Sequence, residues 1–293
     1  MKNASSGVNQ QPPRTKRVSF YGLTFAVPML LWQLVFFVFP LIFLVALTFW
    51  LVKNYRMVPG FDTVNWVKMY TRGYFWDAYG FTIALSIAST AITSALAFPC
   101  AYALAFKVSP TTRRWAIFLL IIPFFTSYLV RAYSWQIFLG NEGIINATLG
   151  YIGLGPIPML NTKFGTIVGY LTLCLPLVVV LQLISLSQVD RSLVEAAQNL
   201  GANRFRTVFL VIVPLAKIGL IIAATFCFIL SFGDFVSPYY LGGSKPPTMS
   251  ILIVDTTKSG QQWPRAAVVA VTMIVTLLSI AFIAVSTAYR RRT

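Results

Sequence analysis

Six predominantly apolar stretches, near residues 23–52, 78–106, 115–139, 165–187, 211–233 and 264–289, are each long enough to cross a lipid bilayer. Hydrocarbon offers no hydrogen-bond partners, so a crossing segment must satisfy its own backbone, and about 20 helical residues cover a core of about 30 Å. The pattern predicts an all-α membrane protein with six transmembrane helices in a domain over 23–289. A polar tail over 1–22 precedes that domain, and a short basic tail over 290–293 follows it. The first stretch exceeds what a crossing needs, which predicts a tilt or a bend near Pro40. Pro28, Pro99, Pro123 and Pro176 mark further kink positions. That first stretch is also about twice the length of a secretory leader core and lacks a small-x-small cleavage pattern, so it is kept as an anchor.

Composition agrees with lipid as the solvent, since 57% of residues are apolar and only 10% charged. A net charge of +16 would fit nucleic-acid binding, but placement of the charges gives it another meaning. With the amino terminus inside, fourteen of the 23 Lys and Arg fall on the inner side and eight on the outer, with Arg131 left inside a span. This is the positive-inside pattern, and it predicts a multi-pass protein with both termini cytoplasmic and no nucleic-acid partner. There is no histidine, and Cys100, Cys174 and Cys227 all fall in apolar spans without metal-ligand spacing. No catalytic residue, metal site or cofactor is therefore expected in this chain, and no paired nucleophile and base points to an enzyme.

The one informative loop covers residues 188–210. Ser192 and Glu195 have capping-box spacing, which predicts the start of a short helix. Gly201 stands where a left-handed residue would end it, and Asn203 is placed to cap the next helix. Leu193, Ala196, Ala197 and Leu200 form a small apolar stripe at helical spacing. A helix this short is marginal alone, so it is either a connector lying on its own domain or a docking element for a soluble partner.

The run Glu195-Ala196-Ala197, with Gly201 six residues after the glutamate and Val211, Val213 and Pro214 beyond, resembles the EAA signature of binding-protein-dependent ABC transporter permeases. Two valines replace the signature's isoleucine and leucine and keep the apolar bulk. The resemblance implies a type I ABC importer permease fold and a coupling helix over about 191–201. Glu195, Ala196, Ala197, Leu200, Gly201 and Arg204 would then contact an ATPase. It implies as partners two copies of an ATP-binding subunit, which hold ATP and Mg, and an external or periplasmic solute-binding protein. A second, homologous permease chain completes the set, a heterodimer being favoured, in a bacterial inner membrane. No G-x-x-x-x-G-K-[ST] loop occurs, since Gly242-Gly243-Ser244-Lys245 lacks its spacing, so nucleotide chemistry belongs elsewhere.

Residues 123–135, Gly143-Ile144-Ile145-Asn146, Leu175-Pro176, residues 232–236, Leu241-Gly242-Gly243 and Trp263-Pro264 resemble the spermidine and putrescine permeases of the PotB type. The resemblance implies polyamine import, while the same subfamily is similar to carriers of amino-acid derivatives and opines. A self-contained secondary transporter would instead show ionisable residues deep in several spans and internal repeats. A polycation calls for carboxylates and aromatic faces, which makes Tyr128, Trp135, Asp234 and Phe235 candidate pathway residues. Arg131 joins them because a charge inside a span costs roughly 2.5 to 3.5 kcal/mol unless paired or wetted. It is expected to line the cavity or pair with an acid. Ser86, Ser89, Thr90, Thr93 and Ser94 are read as close-packing positions in the second span.

Overall fold

The computed structural model describes residues 20–289, with side chains from Ala26 onward. The tail expected over 1–22 lies outside the described residues except for its last three, and the tail over 290–293 lies wholly outside them. The chain divides into two compact units, Met1–Ala46 and Leu47–Thr293.

In the first unit, α1 (Phe20–Gln33) runs through a π-helical turn, Leu34–Val38, into α2 (Phe39–Leu47). The amide of Phe39 donates to the carbonyl of Leu34, five residues back, immediately ahead of Pro40. A proline lacks the N–H of the regular ladder and its ring crowds the carbonyl four residues earlier, and a widened turn relieves both. The irregularity expected near Pro40 takes this form. Nearly every large apolar side chain from Val27 to Val45 is exposed, a surface suited to hydrocarbon or another protein.

The second unit begins with a departure from an all-helical reading. Strands β1 (Leu51–Lys53) and β2 (Arg56–Val58) form a small antiparallel hairpin. Asn54 and Tyr55 both take positive φ at its turn, the backbone that matches strand twist. Helix α3 (Val64–Tyr70) is tied down by Asn65, whose buried amide donates to the carbonyls of Thr48 and Trp50. Then comes α4 (Gly73–Phe106), whose 34 residues reach about 51 Å, longer than the hydrocarbon core.

The third predicted span, 115–139, is not one helix. Helix α5 (Pro110–Ile121) ends in a 3-10 turn, Ile122–Phe125, before α6 (Tyr128–Leu139) and α7 (Ile144–Tyr151). The axis turns by 93° between Pro110–Phe125 and Tyr128–Tyr151. Pro123 cannot donate to the ladder, and both the amide and the hydroxyl of Thr126 close back on its carbonyl. Thr126 and Ser127 are then extended. Among the described residues, five helices are long and apolar enough to cross, two of them through a π-helical turn, and the count reaches six when the bent pair is taken as one span.

The chain continues through α8 (Lys163–Ser187), α9 (Arg191–Asn199) and α10 (Arg204–Thr207). A second π-helical turn, Val208–Ile212, leads into α11 (Val213–Gly233), followed by α12 (Val236–Tyr240), α13 (Met249–Lys258) and α14 (Trp263–Tyr289). This π turn again ends just ahead of a proline, Pro214, with Val213 donating to Val208. Helices α4, α8 and α11 pack together as the centre of the unit, and α14 lies on α11 and α13. Ala97, Ala101, Cys174, Val178, Ala223 and Cys227 fill their seam, small residues that let the backbones approach. Ser86, Ser89 and Thr93 are fully buried in α4, in keeping with close packing.

Candidate functional site

Two places in the second unit gather the residues singled out in the sequence. The first is α9, which starts at Arg191 and is capped by Asp190, whose carboxylate accepts from the amide of Ser192 at 2.9 Å. The capping box expected between Ser192 and Glu195 is displaced. Asp190, two residues ahead of Ser192, has extended backbone and takes the cap, so Glu195 is left exposed on the helix surface. The stop is as expected. Gly201 has φ +85°, its amide donates to Gln198, and Ala202 donates to Ala197, the paired bonds of a Schellman ending. Asn203 then accepts from Arg206 at 2.8 Å and caps α10.

The expected apolar stripe divides between two faces. Val194 packs on the α4–α8–α11 seam, and Ala197 is half-buried beside it. Leu193, Ala196 and Leu200 point outward, Leu200 with 89% of its surface exposed. Arg204 and the stacked pair Phe205–Phe209 extend this uncovered surface. The helix thus grips its own domain by one side and offers another.

Two arginines missed as site residues complete the arrangement. Arg113 donates to the carbonyls of Leu104 and Ala105 at 3.0 Å each, and Arg191 reaches Ala105 at 3.3 Å. Those carbonyls are in the last turn of α4, which lacks helical donors, so cations there both bond and complement the helix dipole. The first residue of α9 is thereby hooked to the end of α4. An arginine just after a predicted helix end was the available signal.

The second place lies at the far end of α11, about 31 Å along the helix. Asp234 is buried there and is held by three donors: the Tyr128 hydroxyl at 2.8 Å and the amides of Val236 and Ser237 at 2.9 and 3.0 Å. It opens α12 as a cap, with most of its lone pairs occupied. The hydroxyl of Tyr128 also meets that of Ser237. Arg131 lies one turn on, its guanidinium 5.7 Å from the Tyr128 ring centroid and donating to the carbonyl of Thr172 at 3.0 Å. Of the two expectations for Arg131, it lines two cavities, and in place of an acid its partner is a backbone carbonyl. Trp135 lines the cavities beside Arg131, and Phe235 stacks on Tyr239 at 5.0 Å. Tyr239, Tyr240 and Tyr133 carry the aromatic row onward at 4.9 and 4.7 Å, and Gln136 ties α6 to the carbonyl of Tyr240. Tyr239 and Tyr240 stand out in the sequence as aromatics beside Asp234, whereas Tyr133 and Gln136 do not, because their partner Tyr240 lies about a hundred residues away.

Residues 94–293 match the family described as binding-protein-dependent transport system inner membrane component. The chain belongs to that family. Among its relatives, the spermidine/putrescine transport system permease protein PotB of Haemophilus influenzae is 31% identical over 204 residues, covering 69% of this chain and 71% of the relative. PotB of Escherichia coli is 27% identical over 249 residues, covering 84% and 90%. A crystal structure of a bacterial ABC transporter involved in the import of the acidic polysaccharide alginate superposes with a TM-score of 0.73 at 19% identity, over 94% of this chain and 96% of that one. The fold is that of a type I importer permease, and the chain is the membrane-spanning permease subunit of a binding-protein-dependent ABC importer. It is a transport component rather than an enzyme, and ATP hydrolysis belongs to a separate subunit.

Proposed function

We propose that the chain imports polyamines of the spermidine and putrescine class as one of two related permeases in a bacterial inner membrane. The observation that carries the substrate class is the likeness to spermidine/putrescine permeases over most of the chain. The aromatic row supplies fitting chemistry. Tyr133 and Tyr239 are half exposed, and ring faces attract alkylammonium groups without holding them too tightly to release. Phe235 and Trp135 belong to this wall, and Tyr128 supports it by fixing Asp234. Asp234 acts as the cap that shapes the wall more than as a counter-ion.

The drive enters at α9. Leu193, Ala196, Leu200 and Gly201 lie in a groove of an ATP-binding subunit, with Glu195 and Arg204 at its rim, and two copies of that subunit bind ATP and Mg. Their closure moves α9, and the motion passes through Arg191 to the end of α4 and through Val194 to the central seam. The π turn Val208–Ile212, with its widened bonds, lies between α9 and α11 and is where the two can shift relative to each other. The uneven basic charge supports an α9 facing the cytoplasm with both termini on that side. An external binding protein delivers the solute at the opposite face.

Cells that express the chain with its ATPase, second permease and binding protein are expected to accumulate radiolabelled spermidine in an ATP-dependent way, with putrescine competing. Accumulation of an amino-acid derivative or opine without any spermidine uptake would contradict the substrate class and leave the permease role intact.

A further inference from the structure

Three departures from straight helix meet at one turn of α6. They are the break at residues 126–127, Pro176 inside α8, and the corner where α11 gives way to α12 at Asp234. Tyr128 bonds the corner and Arg131 bonds α8. The position of the second bond is specific. Thr172 stands four residues before Pro176, so its carbonyl is the one that proline deprives of a helical N–H. Within a bilayer water does not replace that donor, and a proline is tolerated where a neighbouring helix supplies one. Arg131 NH1 donates to that carbonyl at 3.0 Å.

Packing of α6 on α8 is incomplete at this point, although Trp135 and Val168 share an apolar cluster with Leu139. Cavities of about 240 and 450 Å³ flank the bond, lined by Trp135, Phe138, Leu171 and Leu175 among others. The guanidinium also lies against the Tyr128 ring, and among the described residues its Nε has no hydrogen-bond partner. A cation in this setting repels a polycationic solute, so a direct binding role fits poorly. We propose that Arg131 is a positioning residue that stands in for the missing N–H of residue 176 and so fixes the broken third span against α8. It locks the turn that also carries Tyr128, and through Tyr128 the Asp234 corner and the aromatic wall.

A double-mutant cycle tests this directly. Pro176→Ala restores the N–H that Thr172 lacks, so Arg131 becomes dispensable in that background. Each variant is made in the complete transporter, and the melting temperature of the purified complex is measured along with uptake. Arg131→Met is expected to lower the melting temperature and to cut maximal uptake about tenfold with KM unchanged. Arg131→Met with Pro176→Ala is expected to recover most of both. The change in solvation on removing the charge is common to both backgrounds and cancels from the cycle. If Arg131→Met fails to assemble, recovery of assembled complex by Pro176→Ala carries the same meaning. An equal loss in both backgrounds would overturn the proposal. So would a loss of uptake at unchanged melting temperature that Pro176→Ala does not relieve, which would assign Arg131 to the solute. The uptake arm rests on the polyamine reading, whereas the melting arm does not. A wild-type complex that takes up no spermidine leaves the melting cycle able to decide.

Discussion

At the amino-terminal end of α11, α9 and α10 are shaped by bonds between residues two to five apart: Ser192 to Asp190, Gly201 to Gln198, Ala202 to Ala197 and Arg206 to Asn203. The apolar residues Leu193 and Leu200 face outward. At the carboxyl-terminal end the bonds run between distant segments, Tyr128 to Asp234, Gln136 to Tyr240 and Arg131 to Thr172, and the residues face inward. The contrast separates two tasks. On the function proposed above, a helix that fits another protein is made by local signals that stay intact while it moves, and a solute-side wall is made by long-range bonds that fail together when one is lost.

The largest effect is expected at Asp234, where the long-range bond from Tyr128 and two local amide bonds meet on one carboxylate. Asp234→Ala strands three donors in a buried corner and should destabilise the purified complex by about 3 kcal/mol or more, read as a fall in melting temperature. Gly201→Val comes next. A β-branched residue at φ +85° costs about 1–2 kcal/mol, and the ending of α9 should loosen, with uptake reduced about tenfold at normal membrane abundance. Asp190→Ala removes the cap of α9 for about 1 kcal/mol, and Asp190→Asn should restore it, a pair that uptake assays can compare. Arg191→Ala should have the smallest effect, about 0.5–1 kcal/mol for one long hydrogen bond at a helix end. Its mark is specific all the same: ATP hydrolysis continues while solute moved per ATP declines. A destabilised α9 with normal transport, or a tolerant Asp234, would erase the contrast between the two ends.

Legibility in the sequence followed the same division. Helix α9 was readable to within two residues because caps and a glycine stop act over a few positions, while the cap fell at Asp190 rather than Ser192 and the apolar stripe divided between two faces. Five crossing helices were readable from length alone. The sixth was read as one span with a kink position at Pro123, since hydropathy runs unbroken through residues 115–139 and does not register that Pro123 and Thr126 close a turn of 93°. Arg131 was noticed for the cost of its charge, but its partner is a backbone carbonyl, which carries no side-chain signature; the pointer was a proline four residues beyond it. Asp234 was noticed as an acid near aromatics, and its role as a cap follows from Val236 and Ser237 turning back toward it. The hairpin at 51–58 is too short for alternation to stand out.

The account rests on α9 being the surface through which a separate ATPase drives this permease. The direct measurement is co-purification from solubilised membranes with a tag on this chain, comparing wild type with Leu193→Asp, Leu200→Asp. Wild type should bring down the ATP-binding subunit together with the second permease, and the double variant should retain the second permease and lose the ATP-binding subunit. An ATP-binding subunit missing from the wild-type complex, or held equally well by the double variant, would contradict it.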